Sequence, residues 1–164
     1  MQFTALAVTK SLILIFAANA APAVLKQVLN NRYSAPLDGG LAWIDGRRLL
    51  GPSKTFRGLA IGVLIPTFLS PVVGLAWPVG MFVGVAAMVG DCTSSFAKRR
   101  LSFRSSDMAL GLDQIPEALF PAIVMRTYLQ LSIVDVCAIV LVFCVGALAL
   151  SPVLFRLGLR ERPY

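Results

Sequence analysis

The chain has 164 residues, of which 57% are hydrophobic and 14% charged, with a formal net charge of +7 and no histidine. A mean hydropathy of +0.80 is more apolar surface than a soluble domain of this length can bury, so a soluble fold is excluded and an integral membrane protein is expected. The length suits one bundle of four or five spans of about 20 residues each, with no room for a separate soluble domain.

The first apolar segment covers residues 6–28. Lys10, the run 11–17 and then Ala18-Asn19-Ala20 resemble a short signal peptide with a small-residue cleavage site. Apolar character continues through Leu25, so an uncleaved first helix is the better reading. A loop follows, containing Pro36-Leu37-Asp38-Gly39-Gly40, Asp45-Gly46-Arg47-Arg48-Leu49-Leu50-Gly51 and Lys54-Thr55-Phe56-Arg57-Gly58. The uncharged run 58–90 is too long for one span, and Trp77-Pro78 near its middle is a natural turn with an interfacial aromatic. It therefore divides into spans 58–76 and 78–97. The second of these carries Asp91 at the end of the run and meets the basic triplet Lys98-Arg99-Arg100. A fourth span over 115–131 is interrupted by Glu117 and Arg126, and crosses only if both charges sit near its ends. Residues 136–155 form a clean fifth.

Basic residues test this count. Arg32, Arg47, Arg48, Lys54 and Arg57 fall in one loop, Lys98, Arg99, Arg100 and Arg104 in another, and Arg156, Arg160 and Arg162 in the tail. All three segments share the cytosolic side if the N-terminus is outside and the C-terminus is in the cytosol. The fold expected is all-α: a compact bundle of about five transmembrane helices, a single domain over residues 1–164 in the cell membrane, with two cytosolic loops forming a site. Seven of the eight acidic residues lie on that face, Asp135 being the exception, so the surface is more than a basic lipid anchor. The pairs Gly58/Gly62 and Gly80/Gly84 permit close helix contact. Cys92, Cys137 and Cys144 show neither CxxC spacing nor a histidine neighbour, which excludes zinc and disulfide-scaffold readings.

Asp91 and Asp113 would stand at the cytosolic ends of adjacent spans, where paired carboxylates can hold Mg²⁺ between protein and phosphate oxygens. An ion pair of Asp91 with Lys98 or Arg99, and an N-cap role for Asp113, are the structural alternatives. Lys54 and Arg57, one turn apart at a helix start, would face a polyphosphate together, or else simply supply positive-inside charge. The GKT-like string lacks the GxxxxGK[ST] spacing and preceding strand of a P-loop.

Together these segments, with Ala18-Asn19-Ala20-Ala21-Pro22, Gly90-Asp91 through Ser95-Phe96-Ala97-Lys98-Arg99-Arg100, and Leu112-Asp113-Gln114, resemble the CTP-dependent cytidylyltransferases that make CDP-linked lipids, most closely the small CDP-archaeol synthase branch. The resemblance runs from the first span into the fourth. It implies attack of a lipid phosphate on the α-phosphorus of CTP, with Mg²⁺ as cofactor and CTP as co-substrate. It implies metal binding by Asp91 and Asp113. It further implies nucleotide binding by Asp38, Gly39, Asp45, Lys54, Thr55, Arg57, Ser95, Lys98 and Arg99, of which Lys54, Arg57, Lys98 and Arg99 would act on the reacting phosphates. In-line phosphoryl transfer needs positioning and charge neutralisation rather than a covalent nucleophile, so the lack of histidine is no obstacle. Relatives carry a second aspartate three residues after the first in the Leu-Asp motif, where this chain has Pro116 followed by Glu117; either Glu117 takes over part of the metal shell as a third ligand, or the site binds metal more weakly than its relatives do. The partners expected are CTP, a lipid phosphate and membrane lipids, with no nucleic acid, and a homodimer is one possible assembly. Two other classes remain open: a non-catalytic membrane protein, either a lipid-binding subunit or a catalytically impaired relative, suggested by Pro116 and the basic surface, and a small transporter, suggested by the prolines at 66 and 71 and by Lys10. Transporters place their sites near the midplane, whereas these charges cluster at one face.

Overall fold

The apolar runs become five helices in chain order: α1 (Gln2–Leu29), α2 (Phe56–Val72), α3 (Trp77–Arg100), α4 (Gln114–Leu129) and α5 (Ile133–Arg156). The structure, a computed structural model, describes residues 2–30, 32–105 and 107–156. Arg160 and Arg162 of the basic tail lie outside the described residues. Among the described residues, three helical segments are long and apolar enough to cross a membrane: Ala5–Leu29, Trp77–Arg100 and Ile133–Ser151. The second helix is apolar but has 17 residues, and the fourth has 16, about 24 Å of rise.

The helix ends follow from local chemistry. The second helix stops at Val72, four residues before the expected end, because Gly74 takes a φ of 72° and reverses the chain. Trp77 then opens α3 with Pro78 in its first turn, where a missing N–H costs nothing. At the other end α3 continues through the basic triplet, whose charges complement the negative end of the helix dipole. Asp135, the acidic residue on the other face, works as a cap: Ser132 Oγ donates to its Oδ2 at 2.7 Å, and the Asp135 N–H donates back to Ser132 Oγ at 3.2 Å.

Helix α3 packs against α1, α2 and α4, and α5 closes the bundle against α1 and α4. The buried core joins Leu14 and Ile15 of α1, Val83 of α3, Ala118 and Met125 of α4, and Ile139 and Phe143 of α5. Both glycine pairs lie at helix contacts. A Cβ on Gly84 would stand 2.7 Å from Val63 Cα, and one on Gly80 would collide with the Pro66 carbonyl. The α2 and α3 backbones therefore touch, as small residues in membrane helices allow.

The loop between α1 and α2 is more ordered than a turn-rich tether. Antiparallel bridges pair Pro36 with Thr55 and Ala42 with Arg48, folding the segment into a hairpin. The hairpin docks on the end of α3. Arg47 Nη1 donates to the Arg100 carbonyl at 2.8 Å, Arg100 Nη2 donates to the Arg48 carbonyl at 2.7 Å, and Trp43 meets Phe96 edge-on at 5.6 Å.

Candidate active site

What fixes the hairpin is Asp38, whose side chain is fully buried. Its Oδ1 accepts from Arg48 Nη2 at 2.5 Å and from the Gly40 N–H at 3.0 Å, and its Oδ2 accepts from the N–H groups of Leu50 and Gly51 at 3.2 and 2.8 Å. Burial alone would raise its pKa, but the Arg48 guanidinium and these three backbone donors outweigh it and hold the carboxyl well below the usual range. The hairpin, so braced, delivers Lys54 to the mouth of the bundle. Lys54 Nζ lies 2.5 Å from Asp91 Oδ1, and both side chains are about four-fifths covered. Burial works against the Lys54 charge, yet the Asp91 and Glu117 carboxyls prevail and raise its pKa above the ordinary value.

A second lysine repeats the arrangement. Lys98 Nζ lies 2.7 Å from Asp113 Oδ1 and donates to the Asp107 carbonyl at 3.1 Å. Asp113 Oδ2 accepts from the Ala109 N–H at 2.9 Å. Asp113 itself has helical φ/ψ and makes no side-chain cap, so the N-cap alternative is not realised. Nor is the pairing of Asp91 with Lys98 or Arg99 along α3, because the cations are exchanged between segments.

Pro116 has a physical place in this geometry. It sits in the first turn of α4, where proline is tolerated. A Cβ on Gly90 would overlap the Pro116 carbonyl and stand 2.6 Å from its carbonyl carbon, so α3 and α4 are in backbone contact at this level. The next residue on each helix is an acid, and the Asp91 and Glu117 carboxyls act on each other electrostatically. Asp113 also acts electrostatically on Glu117.

These groups line one polar cleft of about 310 Å³, walled by α1, the hairpin, α3 and the start of α4. Of the residues expected from sequence, the cleft gathers Lys54, Asp91, Ser95, Lys98, Arg99, Asp113 and Glu117. Thr55 lines a small adjoining pocket, with its Oγ1 accepting the Gly58 N–H at 3.2 Å as the cap of α2. Asp38, Gly39, Asp45 and Arg57, also expected at the nucleotide, do not line the cleft in this structure. Asp38 and Gly39 belong to the hairpin, and Asp45 accepts from Arg100 Nη1 at 2.8 Å. Arg57 donates instead to the carbonyls of Asn30 and Arg32, in the turn just beyond the end of α1. The cleft also contains Asn19 and Lys26 of α1, to which the sequence reading gave no role. Their signal was a seven-residue spacing that places both on one helix face with Pro22 and Ala23.

The donor set suits a hard divalent cation. Among the described residues no three acidic, cysteine or histidine side chains form a ready-made metal cage. Mg²⁺ does not require one, because it is commonly bound by one or two carboxylates with substrate phosphates completing the shell. Adjacent Asp91 and Glu117, with Asp113 nearby, fit that pattern.

A family model described as CarS-like: CDP-archaeol synthase matches residues 6–164. The chain belongs to this family. It is 35% identical over 147 residues to the CDP-archaeol synthase of Pyrobaculum calidifontis, covering 87% of this chain and 88% of that one. With the CDP-archaeol synthase of Hyperthermus butylicus the identity is 38% over 105 residues, 60% of each chain. The fold is also similar to a solved intramembrane enzyme for archaeal membrane lipid biosynthesis, with a TM-score of 0.66, 26% identity, and coverage of 84% of this chain and 90% of that one.

Proposed function

We propose that this chain is a CTP:lipid-phosphate cytidylyltransferase, forming a CDP-activated lipid and pyrophosphate in membrane-lipid biosynthesis. The observation that carries the reading is the meeting of Lys54, Asp91, Lys98, Asp113 and Glu117 in one cleft, in a chain of this family. A lipid phosphate oxygen forms a bond to the α-phosphorus of CTP, the α–β phosphoanhydride bond breaks, and pyrophosphate leaves. Lys54, Lys98 and Arg99 hold the triphosphate and neutralise charge as it develops on the leaving group. Ser95, buried in the cleft wall, orients a phosphate or the nucleotide. Asp91, Glu117 and Asp113 would hold Mg²⁺, which when bound supplies Lewis-acid charge at the phosphate oxygens. Lys54 and Lys98, which pair with Asp91 and Asp113, would then be free to reach the triphosphate.

The site faces the cytosol, and the chain forms one five-span domain with its N-terminus outside. Support comes from the basic residues of both loops at the cleft end of the bundle. The names of the relatives point to a lipid with archaeol-type chains as acceptor. Purified protein supplied with CTP, Mg²⁺ and a panel of ether-linked isoprenoid and ester-linked acyl phosphates will release pyrophosphate with at least one lipid. Silence across the panel would refute the reading. Asp91→Asn and Asp113→Asn will each abolish the release while leaving the thermal transition in detergent recognisable.

A further inference from the structure

The tip of the hairpin breaks the turn chemistry that the rest of it obeys. Its turn is closed by the Gly46 N–H donating to the Trp43 carbonyl at 2.9 Å and the Trp43 N–H donating to the Arg47 carbonyl at 2.7 Å, with Gly46 at a φ of 74°. In such a three-residue loop a glycine takes the left-handed position, and small or polar residues ordinarily fill the rest. Asp45 and Gly46 conform. Ile44 does not: it is 94% exposed, beside Trp43 at 47% and with Leu41 at 65% earlier in the same strand of the hairpin.

Beside this apolar tip lies the membrane-facing surface of the bundle. Trp43 packs edge-on against Phe96 of α3. Phe96 shares an apolar wall with Leu59, Val63, Val85 and Val89, and both valines of α3 are about half exposed on a helix of membrane-spanning length. Phe56, itself exposed, lies one turn before Leu59 on the same face of α2. The apolar surface is thus continuous from the hydrocarbon-facing helices to the hairpin. Arg100 marks its limit, with its guanidinium 4.9 Å from the centre of the Phe96 ring. An aromatic ring capped by a cation at the end of a span stands at the headgroup boundary, the level at which tryptophan is enriched. The acid at the tip, Asp45, is paired with Arg100 Nη1 at 2.8 Å, so it brings no uncompensated negative charge toward lipid phosphates.

We propose that Trp43 and Ile44 seat in the headgroup–acyl boundary of the leaflet at the cleft end of the bundle, making the hairpin tip an interfacial anchor. The occupant is bilayer lipid rather than another protein, because the tip continues a surface that lipid already covers. The hairpin that carries Lys54 is then held from two sides, by the end of α3 and by the membrane.

The chain has two tryptophans, so Trp77→Phe leaves Trp43 as the sole tryptophan fluorophore. With that chain in phosphatidylcholine vesicles, lipid brominated near the glycerol end of its acyl chains will quench the emission at least twofold, and lipid brominated near the methyl end will quench it less. Iodide in the buffer will quench little. Adding Ile44→Asp, at a position with almost no packed neighbours, will halve the bromine quenching and raise that by iodide, whereas adding Leu110→Asp, 76% exposed on the loop between α3 and α4, will change neither. Circular dichroism will show the same helix content in all three chains. Emission indifferent to brominated lipid, or an Ile44→Asp chain that matches its parent, would overturn the proposal. Shielding from iodide that vanishes when the protein is diluted into excess lipid would identify a second copy of the chain as the cover, and would overturn it as well. Neither quencher needs turnover, so failure of the cytidylyltransferase reading would leave these results intact.

Discussion

Gly90→Ala tests whether backbone contact between α3 and α4 sets the geometry of the acidic cluster. The added Cβ would overlap the carbonyl oxygen of Pro116 and meet its carbonyl carbon at 2.6 Å, where ordinary contact begins at 3.4 Å, so the helices must part by at least about 0.8 Å. No flexible side chain can absorb that shift, because the obstacle is backbone held in the first turn of a helix. Overpacking of this kind costs about 1–3 kcal/mol of stability. The greater loss is functional, since Asp91 and Glu117 follow the two residues that are forced apart. A misplacement near 1 Å lowers turnover about 100-fold. The appropriate comparison is Gly80→Ala, which drives a Cβ into the Pro66 carbonyl between α2 and α3, near the Trp77 end of α3 and eleven residues before Asp91. Measured as kcat/KM for CTP per folded molecule, Gly90→Ala will fall about 100-fold and Gly80→Ala only a few-fold, although both lose thermal stability. Wild-type turnover in folded Gly90→Ala would show that the α3–α4 spacing does not position the cluster.

Lys54→Gln removes the counter-ion of Asp91, so KM for CTP will rise while Mn²⁺ binding without nucleotide, followed by electron paramagnetic resonance, will tighten. Weakening of both would argue against an exchange of Lys54 between carboxylate and phosphate. Arg57→Ala will leave KM for CTP unchanged and cost about 1 kcal/mol in thermal unfolding, the scale of a lost hydrogen bond at a helix end; a large KM effect would return Arg57 to the nucleotide site. The Asp38 carboxylate stabilises the fold because its pKa is lower folded than unfolded. That contribution is fully present above the ordinary value of 3.8 and is lost as pH falls below it toward the folded value. Thermal unfolding from pH 7 to pH 3 will therefore show Asp38→Asn destabilised at neutral pH, with the gap to wild type narrowing only below about pH 4. A gap that is constant down to pH 3 would mean the carboxylate charge is not what braces the hairpin.

The helices were legible in the sequence because an apolar run of membrane length has few other uses, and the Trp77-Pro78 division fell within a residue of the observed start of α3. Both aspartates were legible as well, since a carboxylate at the end of such a run is costly without a purpose. Their partners were not. Sequence proximity offers Asp91 the cations at positions 98 and 99, which lie about 10 to 12 Å farther along the same helix. Lys54, 37 residues away, reaches Asp91 at 2.5 Å instead. The position of Arg57 outside the cleft has a related cause. One-turn spacing puts two side chains on one face only when both residues are helical, and Lys54 precedes the cap at Thr55.

The pairing pattern also explains why Asp38 matters without touching the cleft. Lys54 lies on a hairpin outside the helical bundle, so its position relative to Asp91 is only as definite as the hairpin. A surface loop of this length would ordinarily be mobile. Here four donors converge on one buried carboxylate, and two arginines cross between the hairpin and the end of α3. The Asp-Gly-Gly and Asp-Gly-Arg-Arg segments, which the sequence offers as ligand contacts, instead build the support from which Lys54 reaches the acidic cluster. Loss of Asp38 would then impair nucleotide binding through Lys54, by loosening the position of the cation rather than by removing a contact.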